Sequence, residues 1–341
     1  MWLFYTFLTL IYHASRPQCI TMVQIHGRHM TILCHKQTNF ALRRQAAAAI
    51  FNTANTMTTN EATQLFRTRL SGIFDSREIQ AATRIVFEHI MHYSPVDMII
   101  HGNDELPDFM PQKLNGIISR LAAHEPLQYI IGEARFHGHR FTVTPATLIP
   151  RPETEMLVDI IAAENTAADL RVLDIGTGSG CIAISLALAL QFPKVSAIDI
   201  SQAALDVARV NASALNAQVS FSLADIAVEA QTPPTAAYDI IVSNPPYICT
   251  SEQAGMDANV LDHEPHTALF VPDGDPLKFY KPISAYASSA LAPGGRLYLE
   301  INSRFGADTA ALLRASGFSE IEVEDDQYGR ARFVKARKNA M

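Results

Sequence analysis

The chain has 341 residues, is 48% hydrophobic and 18% charged, and carries a net charge of -7. Its length suggests two domains or one large one, and its composition is that of a globular protein with ample core. The acidic balance argues against nucleic-acid backbone as the main partner, because that role calls for a basic face.

Trp2 to Tyr12 is strongly apolar, but it is only about half the ~20 residues that span a bilayer. The first basic residue other than histidine is Arg16, after this stretch, so it is not expected to act as a signal peptide. Residues 1–56 show no sustained helical or strand period. They are expected to be a poorly ordered extension, with the true start at Met57. Residues 57–130 read as a small helical bundle. Leu65, Phe66, Leu70, Ile73 and Phe74 recur at helical spacing, as do Ile79, Ile85, Val86, Ile90 and Met91, and then Leu114, Ile117, Ile118 and Leu121. This segment is a packing domain, a platform for a macromolecular partner, or both.

Residues 131–150 change character. Phe136, Phe141, Val143 and Thr144 around Gly138 predict a β-hairpin linker. Ile149-Pro150-Arg151-Pro152-Glu153-Thr154-Glu155 then leads stiffly into a helix over Met156–Ala163, with Thr154 or Glu153 as its cap. Arg151 and the two glutamates read as a solvated cap or as the rim of a site.

From Arg171 strand and helix alternate, which predicts an α/β sheet in a domain of residues 151–341. The expected strands are 171–175, 195–199, 219–223, 238–243 and 296–300, with helices over about 181–190, 202–215, 277–291 and 305–315. Two last strands near 321–324 and 332–335 are expected to pair antiparallel, since only a short turn at Gln327-Tyr328-Gly329 joins them. Cys19, Cys34, Cys181 and Cys249 make no C-x-x-C pair. Neither a structural zinc site nor a disulfide framework is indicated, and a reducing compartment fits.

Asp174-Ile175-Gly176-Thr177-Gly178-Ser179-Gly180 follows the first strand. Glycines there let the backbone approach a ligand and turn into the next helix. The G-x-G-x-G spacing is neither the dinucleotide fingerprint nor a phosphate loop. Asp174 stands where an acid can hold a cationic ligand amine, unless the segment is only a tight turn. Asp199 ends the second strand, where an acid can accept both ribose hydroxyls or simply begin a turn. Together these residues indicate a nucleoside cofactor, either NAD or S-adenosylmethionine. Asp225 is within reach of an adenine amino group, or is a surface loop acid.

Asn244-Pro245-Pro246-Tyr247 discriminates between the two cofactors. It follows the apolar strand Tyr238–Ser243, and two prolines cannot continue a strand. The result is a stiff turn carrying an amide side chain, free carbonyls and an aromatic ring. A planar amino group has its lone pair delocalised. To attack a methyl it must be held by two acceptors, here the Asn244 side-chain oxygen and the Pro245 carbonyl, which stabilise the charge growing on nitrogen. Tyr247 can pack over the planar group. Hydride transfer has no use for such a turn. His263-Glu264-Pro265 has no second ligand pair at metal spacing, so no metal is expected and the segment reads as a loop over the site. Glu300 ends the fifth strand, facing the cleft or pairing with a neighbour.

With these residues in hand, the chain resembles class I S-adenosylmethionine-dependent methyltransferases. More closely it resembles the HemK family, the peptide chain release factor glutamine methyltransferases, over about residues 57–338. The markers are Pro126-Leu127-Gln128-Tyr129-Ile130-Ile131-Gly132, the Ile149–Glu155 segment, Asp174 through Gly180, Asn244 through Tyr247, and His263-Glu264-Pro265 with Ala268-Leu269. The N-P-P-Y turn alone is shared with adenine-N6 DNA methyltransferases. The resemblance implies a seven-stranded Rossmann-like α/β sheet behind the helical bundle and hairpin. It implies S-adenosylmethionine as cofactor, held by Asp174, Gly176, Thr177, Gly178, Gly180, Asp199, Ile200, Asp225 and Asn244. Asn244, Pro245 and Tyr247 would be catalytic, and Pro246, Arg151 and Glu153 would join them in binding substrate. The implied substrate is the glutamine side-chain amide of a release factor's Gly-Gly-Gln motif, giving N5-methylglutamine, with the helical bundle docking the release factor. A cytoplasmic monomer that binds neither membrane nor nucleic acid is expected, with adenine-N6 methylation as the alternative. The family's usual Asp-Gly-Leu appears here as Asp273-Gly274-Asp275-Pro276-Leu277, and residues 1–56 have no counterpart in it.

Overall fold

A computed structural model describes residues 19–25, 28–34 and 56–339. The chain divides into two compact units, one of residues 1–65 and 94–115, the other of residues 66–93 and 116–341. The poorly ordered extension expected over 1–56 lies outside the described residues except for β1 (Cys19–Ile25) and β2 (Arg28–Cys34). These pair antiparallel, Cys19 opposite Cys34, where no strand period was legible.

Helices follow as expected from Met57 on: α1 (Thr59–Leu70), α2 (Ser76–Met91), α3 (Pro95–Ile100), α4 (Met110–Ala122) and α5 (Leu127–Ile131). The division between units runs through α1 and α4 and so cuts across the helical segment expected over 57–130. α2 begins with a complete capping box, in which Asp75 takes the Glu78 backbone N–H and Glu78 reaches back to Asp75. Phe87 is fully buried in α2, whereas Ile73, expected on an apolar stripe, is 39% exposed. Ile73 lies past the end of α1, where helical spacing no longer places its side chain.

β3 (Glu133–Phe136) and β4 (His139–Thr142) form the hairpin, turning at His137-Gly138. Phe136 and Phe141 meet edge to face and enter the core of the sheet domain. The next helix, α6 (Pro152–Glu164), starts four residues earlier than the sequence indicated. Proline at the first helical position has no N–H to satisfy and a φ already suited to the helix. Arg151 is the cap residue and makes no side-chain capping bond, and neither Glu153 nor Thr154 caps the helix.

The sheet contains β5 (Arg171–Ile175), β6 (Lys194–Asp199), β7 (Val219–Leu223), β8 (Tyr238–Ser243), β11 (Leu291–Glu300), β12 (Phe318–Asp325) and β13 (Ala331–Lys338). A short parallel pair, β9 (Ile248–Cys249) with β10 (Phe270–Val271), stands outside it. The order is β12-β13-β11-β8-β5-β6-β7. β6, β7, β8 and β11 run parallel to β5, and β13 is antiparallel to both β11 and β12. α7 (Cys181–Ala189) is apolar on every side because it lies against both the sheet and α6, and Cys181 through Leu186 are buried. α8 (Gln202–Ala214) also stitches the hairpin down: Asn211 accepts from Thr142 N at 2.7 Å and donates to Thr142 O at 3.0 Å.

The Gly294-Gly295 pair, read as a turn before a strand, instead lies within β11 at a bulge between Leu291 and Arg296. A Cβ on Gly295 would sit 2.9 Å from Ala292 O and 3.0 Å from Asp239 O, so only glycine admits this approach of β11 to β8. α11 is correspondingly shorter than read, Tyr280–Ala290. The remaining helices are α9 (Ile226–Glu229), α10 (Ala258–His263) and α12 (Gly306–Ala315).

The strand order reverses beside β5: β6 and β7 lie to one side, β8 and β11 to the other. In such sheets the ligand crevice opens beyond the carboxyl ends of the strands at the reversal. Gly176, Asp199, Asn244 and Glu300 all stand at those ends.

Candidate active site

A cavity of about 330 Å³ opens at this edge, a size suited to a small-molecule cofactor. Its lining includes Arg151, Gly176, Thr177, Gly178, Asp199, Ile200, Asp225, Asn244, Pro245 and Pro246. Asp174, Gly180, Glu153 and Tyr247 are not among its lining residues. The structure therefore gathers most of the residues singled out in the sequence and leaves four off the lining.

The glycine loop forms the floor. Gly178 has φ of +55°, and a Cβ there would meet nothing within 4 Å, so the backbone itself faces the open space. Its N–H donates to Asp199 Oδ2 at 2.8 Å, while Asp199 Oδ1 takes Ser201 N–H at 2.9 Å. Each oxygen keeps a lone pair for a ligand hydroxyl. Gly180 stands at the start of α7, close against Ile184 and Ala208.

Asp174 is fully buried. Its Oδ2 accepts from Thr177 Oγ1 at 2.6 Å and from Ala183 N–H at 3.2 Å. Its Oδ1 is buried without a partner, a costly state for a carboxylate oxygen. Burial pushes the carboxyl up to about 7, helped by the Asp199 charge and opposed by the Thr177 and Ala183 hydrogen bonds. Burial also pushes the Cys181 thiol, on the cavity wall, up to about 12, so it remains a neutral thiol.

The turn Asn244–Tyr247 is anchored from below. Ser243 Oγ donates to Ile175 O at 2.7 Å, tying β8 to β5. Asn302 Nδ2 donates to Tyr247 O at 3.1 Å and to Glu252 Oε1 at 3.0 Å. Tyr247 turns its hydroxyl inward to Glu300 Oε1 at 3.0 Å, a bond that a ring packed over a planar substrate did not anticipate. Asn244 Nδ2 donates to Thr154 Oγ1 at 3.3 Å, and Thr154 Oγ1 donates to Glu300 Oε2 at 2.7 Å. Glu300 is buried, and burial raises its pKa against the pull of Thr154, Tyr247 and Arg332.

Asp225 caps α9 by accepting Ala227 N–H at 2.9 Å and still lines the cavity. Pro150 and Arg151, and the loop after Glu264, also line the cavity. Arg151 pairs with the buried Glu264 at 2.6 Å, and Glu264 also takes Ile149 N–H at 3.2 Å. Pro265, Thr267 and Ala268 are the lining residues of that loop. The altered 273–277 loop is fixed by Asp273, which accepts from Ser251 N at 2.9 Å and Ser251 Oγ at 2.6 Å. Sequence reasoning missed Thr154 and Asn302 in this site. No local signal marks a helix threonine whose hydroxyl crosses to a strand 146 residues away.

These residues fit S-adenosylmethionine. Asp174 keeps one carboxylate oxygen without a protein partner two residues before the open glycine loop, and Asp199 keeps acceptor capacity for a ribose. Among the described residues no group of three or more histidines, cysteines, aspartates or glutamates could hold a metal, and no helix is long and apolar enough to cross a membrane.

Comparison with known proteins agrees with this geometry. Residues 152–263 match the family model for the methyltransferase small domain, and residues 61–132 match that for the PrmC N-terminal domain. A release factor glutamine methyltransferase of Bacteroides thetaiotaomicron is 43% identical over 279 residues, covering 82% of this chain and 100% of that protein. One from Flavobacterium psychrophilum is 40% identical, covering 78% of this chain and 94% of that protein. One from Streptococcus pneumoniae is also 40% identical, over 80% of this chain and 96% of that protein. With relatives of 40–43% identity matched over 94–100% of their length, the chain belongs to the release factor glutamine methyltransferase family.

Proposed function

We propose that the chain methylates the side-chain nitrogen (N5) of the glutamine in a release factor's Gly-Gly-Gln motif, using S-adenosylmethionine. The observation that carries this reading is the placement of Asn244 and Pro245 on the wall of a cavity floored by the glycine loop. Asp199 would hold the ribose and Asp225 the adenine side, while Asp174, buried and off the cavity lining, would favour the cationic amino-acid end through its charge. When bound, S-adenosylmethionine supplies a methyl group on a positively charged sulfur.

The chain's own residues then act on the substrate nitrogen. The Asn244 oxygen and the Pro245 carbonyl accept its two N–H bonds. This aims the nitrogen and stabilises the positive charge that develops on it in the transition state. The nitrogen sheds its proton after the methyl is attached, when it is strongly acidic, so no strong base is required. The described cavity lining contains no histidine or lysine, in keeping with that order of events. The helices of 57–130 would dock the release factor. The acidic net charge of -7 favours a protein over nucleic acid as partner. The same reading puts the enzyme in the cytoplasm, as a monomer.

The test is incubation of purified protein with labelled cofactor and either release factor or DNA, followed by mass spectrometry. Label on the Gly-Gly-Gln glutamine is expected. Label on adenine of DNA, with none on glutamine, would overturn the reading.

A further inference from the structure

We propose that Thr154 and Glu300 are positioning residues that set the orientation of the Asn244 amide, so that its oxygen and not its NH2 meets the substrate. The proposal deepens the function argued above and rests on it for its kinetic consequences.

The two ends of an asparagine amide have nearly the same shape but opposite hydrogen-bonding character, and only the surrounding network decides which way it faces. Here the network runs inward from Glu300. Both of its carboxylate oxygens are occupied by hydroxyl donors: Tyr247 Oη on Oε1 at 3.0 Å and Thr154 Oγ1 on Oε2 at 2.7 Å. While Glu300 is ionised it only accepts, so each hydroxyl commits its single proton to it. The Thr154 oxygen is left with lone pairs alone. Whatever faces it must donate, and what faces it is Asn244 Nδ2 at 3.3 Å. The opposite end of the amide, Oδ1, is then the end that Asn244 offers to the cavity it lines. A flipped amide would set two oxygens against each other at Thr154 and present two donors to a substrate NH2 that also only donates.

The chain of bonds is built to hold this sense. Thr154 and Glu300 are 2% and 1% exposed, so the bond between them is shielded from bulk solvent, although Thr154 borders the cavity. Thr154 sits on α6 and Glu300 at the end of β11, while Asn244 follows β8, so three separate elements converge on one amide. Arg332 Nη1 donates to Tyr247 Oη at 3.3 Å, which leaves that hydroxyl's own proton for Glu300. Tyr280 Oη holds the Glu300 carbonyl at 3.0 Å and fixes the backbone beneath.

Thr154→Val keeps the shape and removes the hydroxyl, and Thr154→Ser restores it. With wild-type protein active on release factor, T154V is expected to lower kcat about 10–100-fold, the scale of a misplaced catalytic group. Cofactor Kd by calorimetry should stay within about twofold, and T154S should recover most of the rate. On an Asn244→Ala background T154V should cost nothing further, because a residue acting through Asn244 has no effect once that amide is gone. A T154V enzyme with wild-type kcat, or one whose loss adds in full to that of N244A, overturns the proposal. The side-chain 15NH2 signals of Asn244, assigned by their loss in N244A, give a reading that needs no substrate. They should shift in T154V and return in T154S, and signals that stay in place overturn the proposal even if release factor proves not to be the substrate. Thr154→Ala makes the same measurements if T154V does not fold. If neither variant folds or binds cofactor, Thr154 is structural and the proposal fails.

Discussion

Asn244 and Asp174 show how differently two polar residues of one site are held. Asn244 borders the cavity with its NH2 end tied to Thr154. In the proposed mechanism its oxygen is one transition-state acceptor, so Asn244→Ala is expected to lower kcat about 10²–10³-fold. Single-turnover kinetics at saturating cofactor check this, and unchanged turnover would remove Asn244 from the chemical step. Asp174 is buried, with one oxygen unpartnered. Its carboxyl, pushed up to about 7, binds a proton more tightly folded than unfolded. Its contribution to stability is therefore full below about pH 4 and is lost as pH rises toward 7. Asp174→Asn should flatten that part of the stability profile, which thermal melts across the range will show. A cationic ligand favours the ionised carboxylate. Cofactor affinity of the wild type should then rise with pH through about 7, and the rise should be missing in D174N.

At the scale of elements, the site depends on how β11 meets β8 and on how α6 begins. β11 reaches Glu300 only after the bulge at Gly294-Gly295, where a side chain on residue 295 would collide with backbone oxygens of residues 239 and 292. Gly295→Ala is expected to destabilise the protein by about 1–3 kcal/mol, the usual cost of forcing atoms into a packed interior. The same shift should move Glu300, so kcat should fall in the folded fraction; urea melts and kinetics on one preparation separate the two effects. α6 opens on Pro152, which satisfies its own end and leaves Thr154 free to turn inward. A proline, two acids and a threonine read locally as a capped helix start. What turned the threonine away from capping was a carboxylate at the end of β11, in another part of the sequence.

At the scale of the whole molecule, the Bacteroides relative is covered over its full length by 279 residues of this chain. The match to the PrmC N-terminal domain begins at residue 61, so a chain beginning at Met57 is expected to methylate release factor at the full-length rate, and a truncated protein that folds but does not turn over would give the removed residues a part in the reaction. The parallel strands were legible because apolar runs bounded by Gly, Pro and Asp recur at βα spacing. The cofactor loop and the N-P-P-Y turn were legible because their chemistry is local: glycine φ, proline's missing N–H and an adjacent amide act within a few residues. The sequence alone thus determined the seven strands of the main sheet, the glycine loop and the stiff turn at Asn244–Tyr247. Tertiary structure alone decided that β13 inserts between β11 and β12, that Tyr247 turns its hydroxyl inward, and that Thr154 and Glu300 stand behind Asn244. The physical reason is that a hydrogen bond has a donor and an acceptor but no sequence separation. Thr154 and Glu300 are neighbours only because the sheet brings the end of β11 beside the start of α6.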